Sequence, residues 1–229
     1  MMKVVISIGG SLLSKEPELI PKIEDVKKYA DVLKRLKDSG HQLVVAVGGG
    51  KLCRKYQAVA RELGGDRILQ DNIGTTSTHL NSYLLIAALG SYAHQESLRK
   101  PAQVKKYFGD KILLCAGDKP GHSTDYDAAL HAKAVGASLL INVTNIDGVY
   151  SDDPKKNPAA KKYLTLTHKE FLKIIKINKQ VPGEYRLFDM KATKLIKKLY
   201  LKTVFIDGND PEEIVRAVEG GHHGTTIQS

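Results

Sequence analysis

Cysteine is scarce in this sequence: only Cys53 and Cys115 occur in 229 residues. Neither takes part in a Cys/His spacing typical of a zinc site, so a zinc-binding module is excluded. The chain also leads directly into a predicted strand, without a cleavable apolar segment followed by small residues. We therefore expect a cytoplasmic protein.

Long hydrophobic runs are missing as well. The longest, residues 83–89, is far shorter than the roughly 20 residues that a membrane-spanning helix needs, so no membrane span is expected. Hydrophobic residues nevertheless make up 42% of the chain and charged residues 26%, which excludes a wholly disordered or low-complexity protein. The length allows one large domain or two closely packed halves.

Acidic residues are outnumbered, since 25 Asp and Glu face 35 Lys and Arg and leave a formal net charge of +10. Such a charge favours an anionic partner, which could be nucleic acid, an acidic membrane or a phosphorylated metabolite. The basic residues occur in scattered pairs, without the long basic run or interleaved aromatics typical of a nucleic-acid arm. Solvated helix faces explain most of them, so charge alone does not identify the partner.

Short apolar and β-branched runs without polar alternation recur at residues 4–8, 43–47, 112–116, 139–143 and 204–206. This pattern is typical of strands buried on both faces, as in a parallel sheet. Between the runs, apolar residues follow helical spacing, for example from Val26 to Leu36 and from Leu52 to Leu63. The alternation predicts an α/β fold, a three-layer αβα sandwich with a mostly parallel central sheet.

No repeat or low-complexity linker divides the chain. The best candidate boundary is residues 101–111, where a polar helix precedes a new strand. We expect a single domain over residues 1–229, with one lobe of about 1–110 and a second of about 111–229. Ligands of such folds bind beyond the carboxyl ends of the strands, so the chemistry is expected in the loops there.

Two glycine clusters follow predicted strands, Gly9-Gly10 after the first and Gly48-Gly49-Gly50 after the second. Glycine lets backbone N–H groups close on an oxyanion and aims the next helix N-terminus at it. Neither cluster has the spacing of a P-loop or of the G-x-G-x-x-G fingerprint. A single cluster would more often be a tight turn, but two at the ends of buried strands favour a phosphate site.

A loop rich in hydrogen-bond donors, residues 116–125, precedes another predicted helix. Thr124 or Asp125 is a natural N-cap for that helix. Capping does not explain why Lys119 and His122 crowd the same helix start, although a single loop histidine is usually not a ligand. The crowding indicates an anion-binding site.

Taken together, five motifs in this order resemble the amino acid kinase superfamily, and more closely its archaeal uridylate kinases. They are residues 9–11, residues 47–51 with Arg54, residues 120–125, residues 144–150 with Asp153-Pro154, and residues 224–227. The match runs from residue 3 to residue 227. Each motif is weak alone, and residues 143–154 alone would indicate only a hairpin or an Asx turn, but the combination is specific.

The resemblance implies transfer of the γ-phosphoryl group of ATP to UMP, giving UDP, in pyrimidine nucleotide biosynthesis. Mg²⁺ would bridge the nucleotide phosphates and be held mainly through them, without metal ligands from the protein. The first lobe would carry UMP and the second ATP. Similarity to this family also implies a homohexamer built as a trimer of dimers, with neither nucleic acid nor a membrane as partner.

Site residues are implied by their positions in the family motifs. Those that would bind UMP are Gly49, Asp71, Lys119, Pro120, Gly121, His122, Ser123, Thr124 and Asp125. Those that would bind ATP are Gly9, Gly10, Gly50, Arg54, Thr144, Asn145, Tyr150 and Asp153. Those implied in catalysis are Lys51, Asp189 and Lys194. A carboxylate such as Asp71 can accept both ribose hydroxyls, and Tyr150 offers a ring to adenine.

The sequence departs from the family pattern in two places. Ser7 stands where many relatives carry a lysine, which leaves Lys51 or Lys194 to offset the phosphate charge. His79 stands where close relatives tend to have arginine, and we expect a histidine on the surface of a helix there. Asp189 precedes Lys194 by five residues as in the family, or simply caps a helix.

Rival functions stay open at this point. One is another phosphotransferase of the superfamily, acting on a carboxylate, a carbamate or an isoprenoid phosphate; the last would need an apolar pocket, whereas residues 70–78 and 119–125 are polar. A second is a non-catalytic nucleotide sensor that keeps the fold, which Ser7 favours. Nucleic-acid binding, suggested by the charge, comes third.

Overall fold

The computed structural model describes residues 1–14, 19–177 and 187–229. Its strands are β1 Lys3–Ile8, β2 Gln42–Val47, β3 Leu113–Cys115, β4 Leu139–Thr144, β5 Val149–Tyr150, β6 Lys162–Tyr163, β7 Thr165–Thr167, β8 Thr203–Asp207 and β9 Thr225–Gln228. Its α-helices are α1 Gly10–Leu13, α2 Ile23–Asp38, α3 Gly50–Glu62, α4 Arg67–Leu89, α5 Pro101–Tyr107, α6 Thr124–Val135, α7 His168–Ile177, α8 Met190–Leu199 and α9 Glu212–Glu219. None of the helices in these ranges is long and apolar enough to cross a membrane.

Seven strands form one sheet in the order β3-β2-β1-β4-β8-β9-β7, and β5 pairs with β6 in a separate ribbon. The five strands from β3 to β8 run parallel, with Ile6 of β1 opposite Val45 of β2 and Ile141 of β4. Strand β9 runs antiparallel to β8, and β7 pairs with β9 in parallel, so β9 and β7 run against the other five strands. The predicted mostly parallel sheet is therefore confirmed. Because β3 pairs with β2, one sheet joins both proposed lobes.

The two faces of the sheet carry separate hydrophobic cores, because successive side chains of a strand point to opposite faces. Val4 and Ile6 of β1 belong to the core that contains the buried faces of α2, α4 and α9. Val5 belongs to the core shared with α6, α7 and α8. Helices thus cover both faces, as the uninterrupted apolar strands predicted. The three-layer αβα sandwich is confirmed.

Two helix starts show how local sequence sets the element boundaries. At α7 a capping box forms: Oε2 of Glu170 accepts from the Thr167 backbone N–H at 2.8 Å, and Thr167 Oγ1 accepts from the Glu170 N–H at 3.2 Å. At α6 the predicted N-cap was wrong. Ser123 caps this helix, because its Oγ accepts the Tyr126 N–H at 3.2 Å, and Thr124 and Asp125 already lie in the first turn.

Candidate active site

The carboxyl ends of the parallel strands place the predicted site loops along one edge of the sheet. The chain crosses from β1 to β2 on one side and reaches β4 on the other, so the strand order reverses at β1, and ligands of such sheets bind at that point. Backbone hydrogen bonds tie the loops together here. Gly9 N–H donates to Val143 O at 3.0 Å, and Gly48 N–H donates to Ile8 O at 2.9 Å.

The two glycine clusters touch each other through their backbones. A Cβ atom on Gly10 would collide with the carbonyl oxygen of Gly48 and the nitrogen of Gly50. Gly50 has φ +74°, a left-handed conformation that side-chain-bearing residues rarely adopt. Glycine is therefore required for these loops to pack, and the packing places the N-terminus of α3, including half-buried Lys51, beside the loop after β1.

The loop after β3 is held by polar groups from α4 and α6. Thr78 Oγ1 accepts the Gly117 N–H at 2.9 Å, and Asp71 Oδ2 accepts the Gly121 N–H at 2.8 Å. Gly121 has φ +80° at the tip of the loop. We call residues 116–123 the β3–α6 loop. The structure thus brings Asp71, which lies far away in sequence, next to the other residues predicted to bind the acceptor.

A histidine–carboxylate pair closes the base of this loop. Nδ1 of His122 lies 2.7 Å from Oδ1 of Asp127, and Oδ2 of Asp127 accepts the Asp118 N–H at 3.1 Å. Burial raises the pKa of Asp127, and the hydrogen bonds from Asp118 and His122 oppose that rise. Sequence reasoning missed Asp127. Its only signal was an acidic residue in the first turn of a helix, which is common.

On the other side of β1, the loop after β4 leads into the β5–β6 ribbon. The Tyr150 hydroxyl donates to Oδ1 of Asp147 at 2.7 Å, and Lys162 Nζ lies 2.7 Å from Oδ2 of the same carboxylate. Burial and this hydrogen bond raise the pKa of Tyr150 to about 12, so its hydroxyl stays protonated. Burial alone would raise the pKa of Asp147, but the hydrogen bonds from Lys162 and Tyr150 lower it. Tyr150 is therefore anchored by its hydroxyl.

The remaining predicted residues on this side lie in well-defined turns. Thr144 O accepts the Gly208 N–H at 2.7 Å, and the Asn145 side chain is close to Thr144 Oγ1. Oδ1 of Asp153 accepts the Lys155 N–H at 3.0 Å and so closes the turn after β5. These bonds give Asp153 a structural role whether or not it also contacts a nucleotide.

Helix α8 carries the predicted catalytic pair. Oδ1 of Asp189 accepts the backbone N–H groups of Lys191 and Ala192 at 2.7 and 2.9 Å, so Asp189 is the N-cap. Lys194 is exposed on this helix. The lysine that contacts the β3–α6 loop is Lys191, whose Nζ donates to Gly121 O at 3.4 Å and lies 5.8 Å from the centre of the Tyr126 ring. No sequence signal distinguished Lys191 from its neighbours.

Two further positions differ in their surroundings from what the motifs suggest. Arg54 is exposed on α3, which like Gly50 follows β2, whereas the remaining residues predicted to bind ATP come after β1 or after β4. Ser7 is buried in the middle of the sheet, between Ala46 and Asn142. No charged group can enter from that position.

The expectation of a surface histidine at position 79 was wrong. His79 is 8% exposed because this face of α4 packs toward the sheet, and burial, with a smaller effect of Arg99, lowers its pKa to about 4. His79 is therefore neutral near pH 7. It cannot replace the positive charge of an arginine.

Within residues 1–14, 19–177 and 187–229, no three His, Cys, Asp or Glu side chains come together as a metal site.

A parallel sheet whose glycine loops and polar loops meet where the strand order reverses forms the crevice in which proteins of the αβα type bind their ligands. The family model of the amino acid kinase family matches residues 2–207. The chain belongs to this family.

Several full-length relatives share one activity in their names. The uridylate kinase of Methanobrevibacter smithii is 38% identical over 229 residues, with 100% of both chains covered. That of Methanothermobacter thermautotrophicus is 40% identical, with 99% of both covered. The crystal structure of uridylate kinase from Archaeoglobus fulgidus matches with a TM-score of 0.86 at 36% identity and covers 99% of this chain and 100% of that one. A UMP kinase from Ureaplasma parvum, 24% identical with a TM-score of 0.84, shows the same fold.

Proposed function

We propose that this protein transfers the γ-phosphoryl group of ATP to UMP and releases UDP and ADP. Full-length uridylate kinases at 38 to 40% identity support UMP phosphorylation. The observation that carries the assignment of sides is the arrangement of the loops around β1. Asp71 meets the β3–α6 loop on one side, and the anchored Tyr150 follows β4 on the other.

On the acceptor side, each residue has a chemically suitable task. The Asp71 carboxylate keeps lone pairs beyond the one that Gly121 uses, so it can accept ribose hydroxyls of UMP. The backbone N–H groups at the start of α3, with Gly49 and Lys51, can donate hydrogen bonds to phosphate oxygens. The acceptor set that we propose is completed by residues of the following loop and helix start: Lys119, Pro120, Gly121, His122, Ser123, Thr124 and Asp125.

On the donor side, the ring of Tyr150 can lie against adenine because its hydroxyl is fixed by Asp147. Gly9, Gly10 and Gly50, with Arg54, Thr144, Asn145 and Asp153, complete the proposed ATP set. The two glycine clusters then hold donor and acceptor phosphates in line, and phosphoryl transfer requires chiefly such positioning and charge neutralisation. Bound Mg²⁺ would neutralise charge on the nucleotide phosphates.

Charge that develops on the transferred group needs a cation from the protein. Because Ser7 supplies none, we propose that Lys51 and Lys194 do so, with Asp189 fixing the start of α8. The alternative acceptors are a carboxylate, a carbamate or an isoprenoid phosphate, and the polar β3–α6 loop disfavours the last. A non-catalytic nucleotide sensor remains the alternative of a different class.

A direct assay separates these functions. Purified protein with ATP and Mg²⁺ is tested for ADP release against UMP, CMP, dUMP, carbamate, acetate and isopentenyl phosphate. We expect UMP to have the highest kcat/KM. Faster turnover of any acid or isoprenoid phosphate would reassign the acceptor, and nucleotide binding without ADP release would support the sensor.

We also propose that the protein is a homo-oligomer, a hexamer made as a trimer of dimers, in the cytoplasm, where UDP formation serves pyrimidine nucleotide synthesis. Helix α3 supports an interface between copies, because Tyr56, Val59 and Leu63 occupy one helical face and are 60, 55 and 83% exposed. Light scattering of Tyr56→Asp should show a smaller assembly than the parent, whereas Leu164→Lys, at another exposed leucine, should not.

A further inference from the structure

Asp127 is a carboxylate in an unexpected place. It is 2% exposed, next to the apolar residues Ala128 and Ala129 of the core beneath α6. Burying a carboxylate is unfavourable unless hydrogen bonds or an opposite charge compensate it. A loop tether would need only one acceptor, and Oδ2 already provides it by accepting the Asp118 N–H. The second oxygen, Oδ1, holds the imidazole of His122 at 2.7 Å.

The imidazole of His122 is fixed from two directions. Nδ1 faces the Asp127 carboxylate, and the ring meets Tyr126 edge-on, with ring centres 4.9 Å apart and an angle of 77° between the planes. The side chain is 13% exposed, so part of it reaches solvent. Within the part of the chain that the structure describes, Nε2 of His122 makes no hydrogen bond. One ring nitrogen is therefore committed and the other is available to a ligand.

Because a carboxylate accepts and cannot donate when ionised, Asp127 requires a proton on Nδ1. The carboxylates nearest to the loop are Asp118 within it and Asp71 at Gly121, and the lysine on the facing helix α8 is Lys191. The loop itself also carries Lys119.

We propose that Asp127 is a positioning residue for the acceptor: it holds His122 with Nδ1–H directed at its own carboxylate, so that Nε2 is presented to the UMP bound by the β3–α6 loop. This inference rests on the proposed UMP kinase function. It adds a fixed polar group on the acceptor side, beside Lys119 of the same loop. Carboxylates fix ligand-binding histidines through their second nitrogen in the same way at metal sites.

The test is a double-mutant cycle on UMP affinity, measured by isothermal titration with UMP and, separately, with a non-hydrolysable ATP analogue. Asp127→Asn keeps the shape and an acceptor for the Asp118 N–H but removes the charge. We expect it to weaken UMP binding by about five- to tenfold, since a charge-assisted hydrogen bond is roughly twice as strong as a neutral one. Affinity for the ATP analogue should stay within about twofold.

His122→Gln should weaken UMP binding at least as much, and Asp127→Asn should have no further effect in the His122→Gln background. Fully additive effects, unchanged UMP affinity in either single variant, or an equal loss for the ATP analogue would each overturn the proposal. If Asp127→Asn fails to fold, Asp127→Glu, which keeps a carboxylate, is compared with His122→Gln instead. Asp127→Glu should bind UMP nearly as tightly as the parent when His122 is present and should not improve UMP affinity in the His122→Gln background.

A second readout does not depend on substrate. In ¹⁵N spectra of the free protein labelled at histidine, the parent should show His122 protonated at Nδ1, and Asp127→Asn should change that signal. An unchanged signal overturns the proposed pairing. If the parent neither binds nor phosphorylates UMP, the proposed function itself fails; if it does both while the two variants match it, only the role of Asp127 and His122 fails.

Discussion

The backbone N–H of Gly121 donates a 2.8 Å hydrogen bond to Oδ2 of Asp71 and so joins the β3–α6 loop to helix α4 across 50 residues of chain. Gly121 O, on the opposite side of the same residue, accepts from Lys191 of α8 at 3.4 Å. The loop tip is therefore held between two helices. Asp71 consequently has two tasks in the proposed enzyme, to keep the loop in place and to receive the acceptor ribose.

Substitution of Asp71 separates these tasks. Asp71→Ala should raise KM for UMP by about thirtyfold, corresponding to about 2 kcal/mol for a hydrogen bond to a charged group, and leave KM for ATP nearly unchanged. Asp71→Asn keeps an oxygen for the Gly121 N–H and should cost less. Steady-state kinetics with each nucleotide varied in turn provide the measurement. Equal increases in both KM values would assign Asp71 a structural role only.

Tyr150 offers a similar separation on the donor side. Removal of the ring in Tyr150→Ala should weaken ATP binding by about 1–3 kcal/mol, which is the range for a base stacked on an aromatic side chain. Tyr150→Phe keeps the ring and loses only the bond to Asp147, so its KM for ATP should rise less. A Tyr150→Phe variant as weak as Tyr150→Ala would show that the hydroxyl, not the ring, matters. KM for UMP serves as the internal control.

Much of this fold could be predicted because its strands are buried on both faces, and such strands show as plain apolar runs. The runs around Ile6, Val45 and Ile141 all became strands of the parallel sheet. Strand β9, which runs against β8, was not predicted because Thr225 and Thr226 carry no continuous apolar signal. Helical spacing also found α3 but not its exposure: periodicity shows which residues share a face, not what covers that face.

Site residues could be predicted from the sequence only where a sequence motif itself makes the contacts that build the site. The glycine clusters did so, since glycine is needed where Gly10 meets Gly48. Asp127 and Lys191 were missed because a carboxylate or lysine on a helix has an ordinary surface explanation, and only tertiary packing shows that one is buried and the other reaches Gly121. His79 was misplaced for the same reason.

Lys194 tests the proposed charge neutralisation. A lysine that acts mainly in the transition state affects kcat more than KM, and loss of one preorganised charge costs about 3 kcal/mol, or roughly a hundredfold. We expect this loss for Lys194→Ala, and less than about a twofold change for Lys197→Ala, an exposed lysine of the same helix. Should both variants keep the parental kcat, the charge must be met by Lys51, Arg54, Lys119 or the metal ion.

The buried His131 predicts how stability depends on pH. Its side chain is 0% exposed, both ring nitrogens lack a hydrogen-bond partner among the described residues, and burial lowers its pKa to about 4. An unfolded histidine titrates near pH 6.5, so between these values the unfolded chain binds more protons than the folded one. The free energy of unfolding must therefore fall as pH drops from about 6.5 to about 4, by up to about 3 kcal/mol for this group.

His131→Leu should remove the part of this decrease in unfolding free energy that comes from His131, because leucine cannot take up a proton. Near pH 7 the variant should not be less stable, since it also eliminates two unpaired polar atoms from the core. Urea unfolding at pH 7, 5.5 and 4.5 measures both effects.

Lys133→Leu, on the exposed side of the same helix, is the control, because lysine stays charged throughout this range. His79, with a pKa of about 4, keeps contributing in every variant, so the decline should shrink rather than vanish. Parallel pH profiles for the parent and His131→Leu would contradict the prediction.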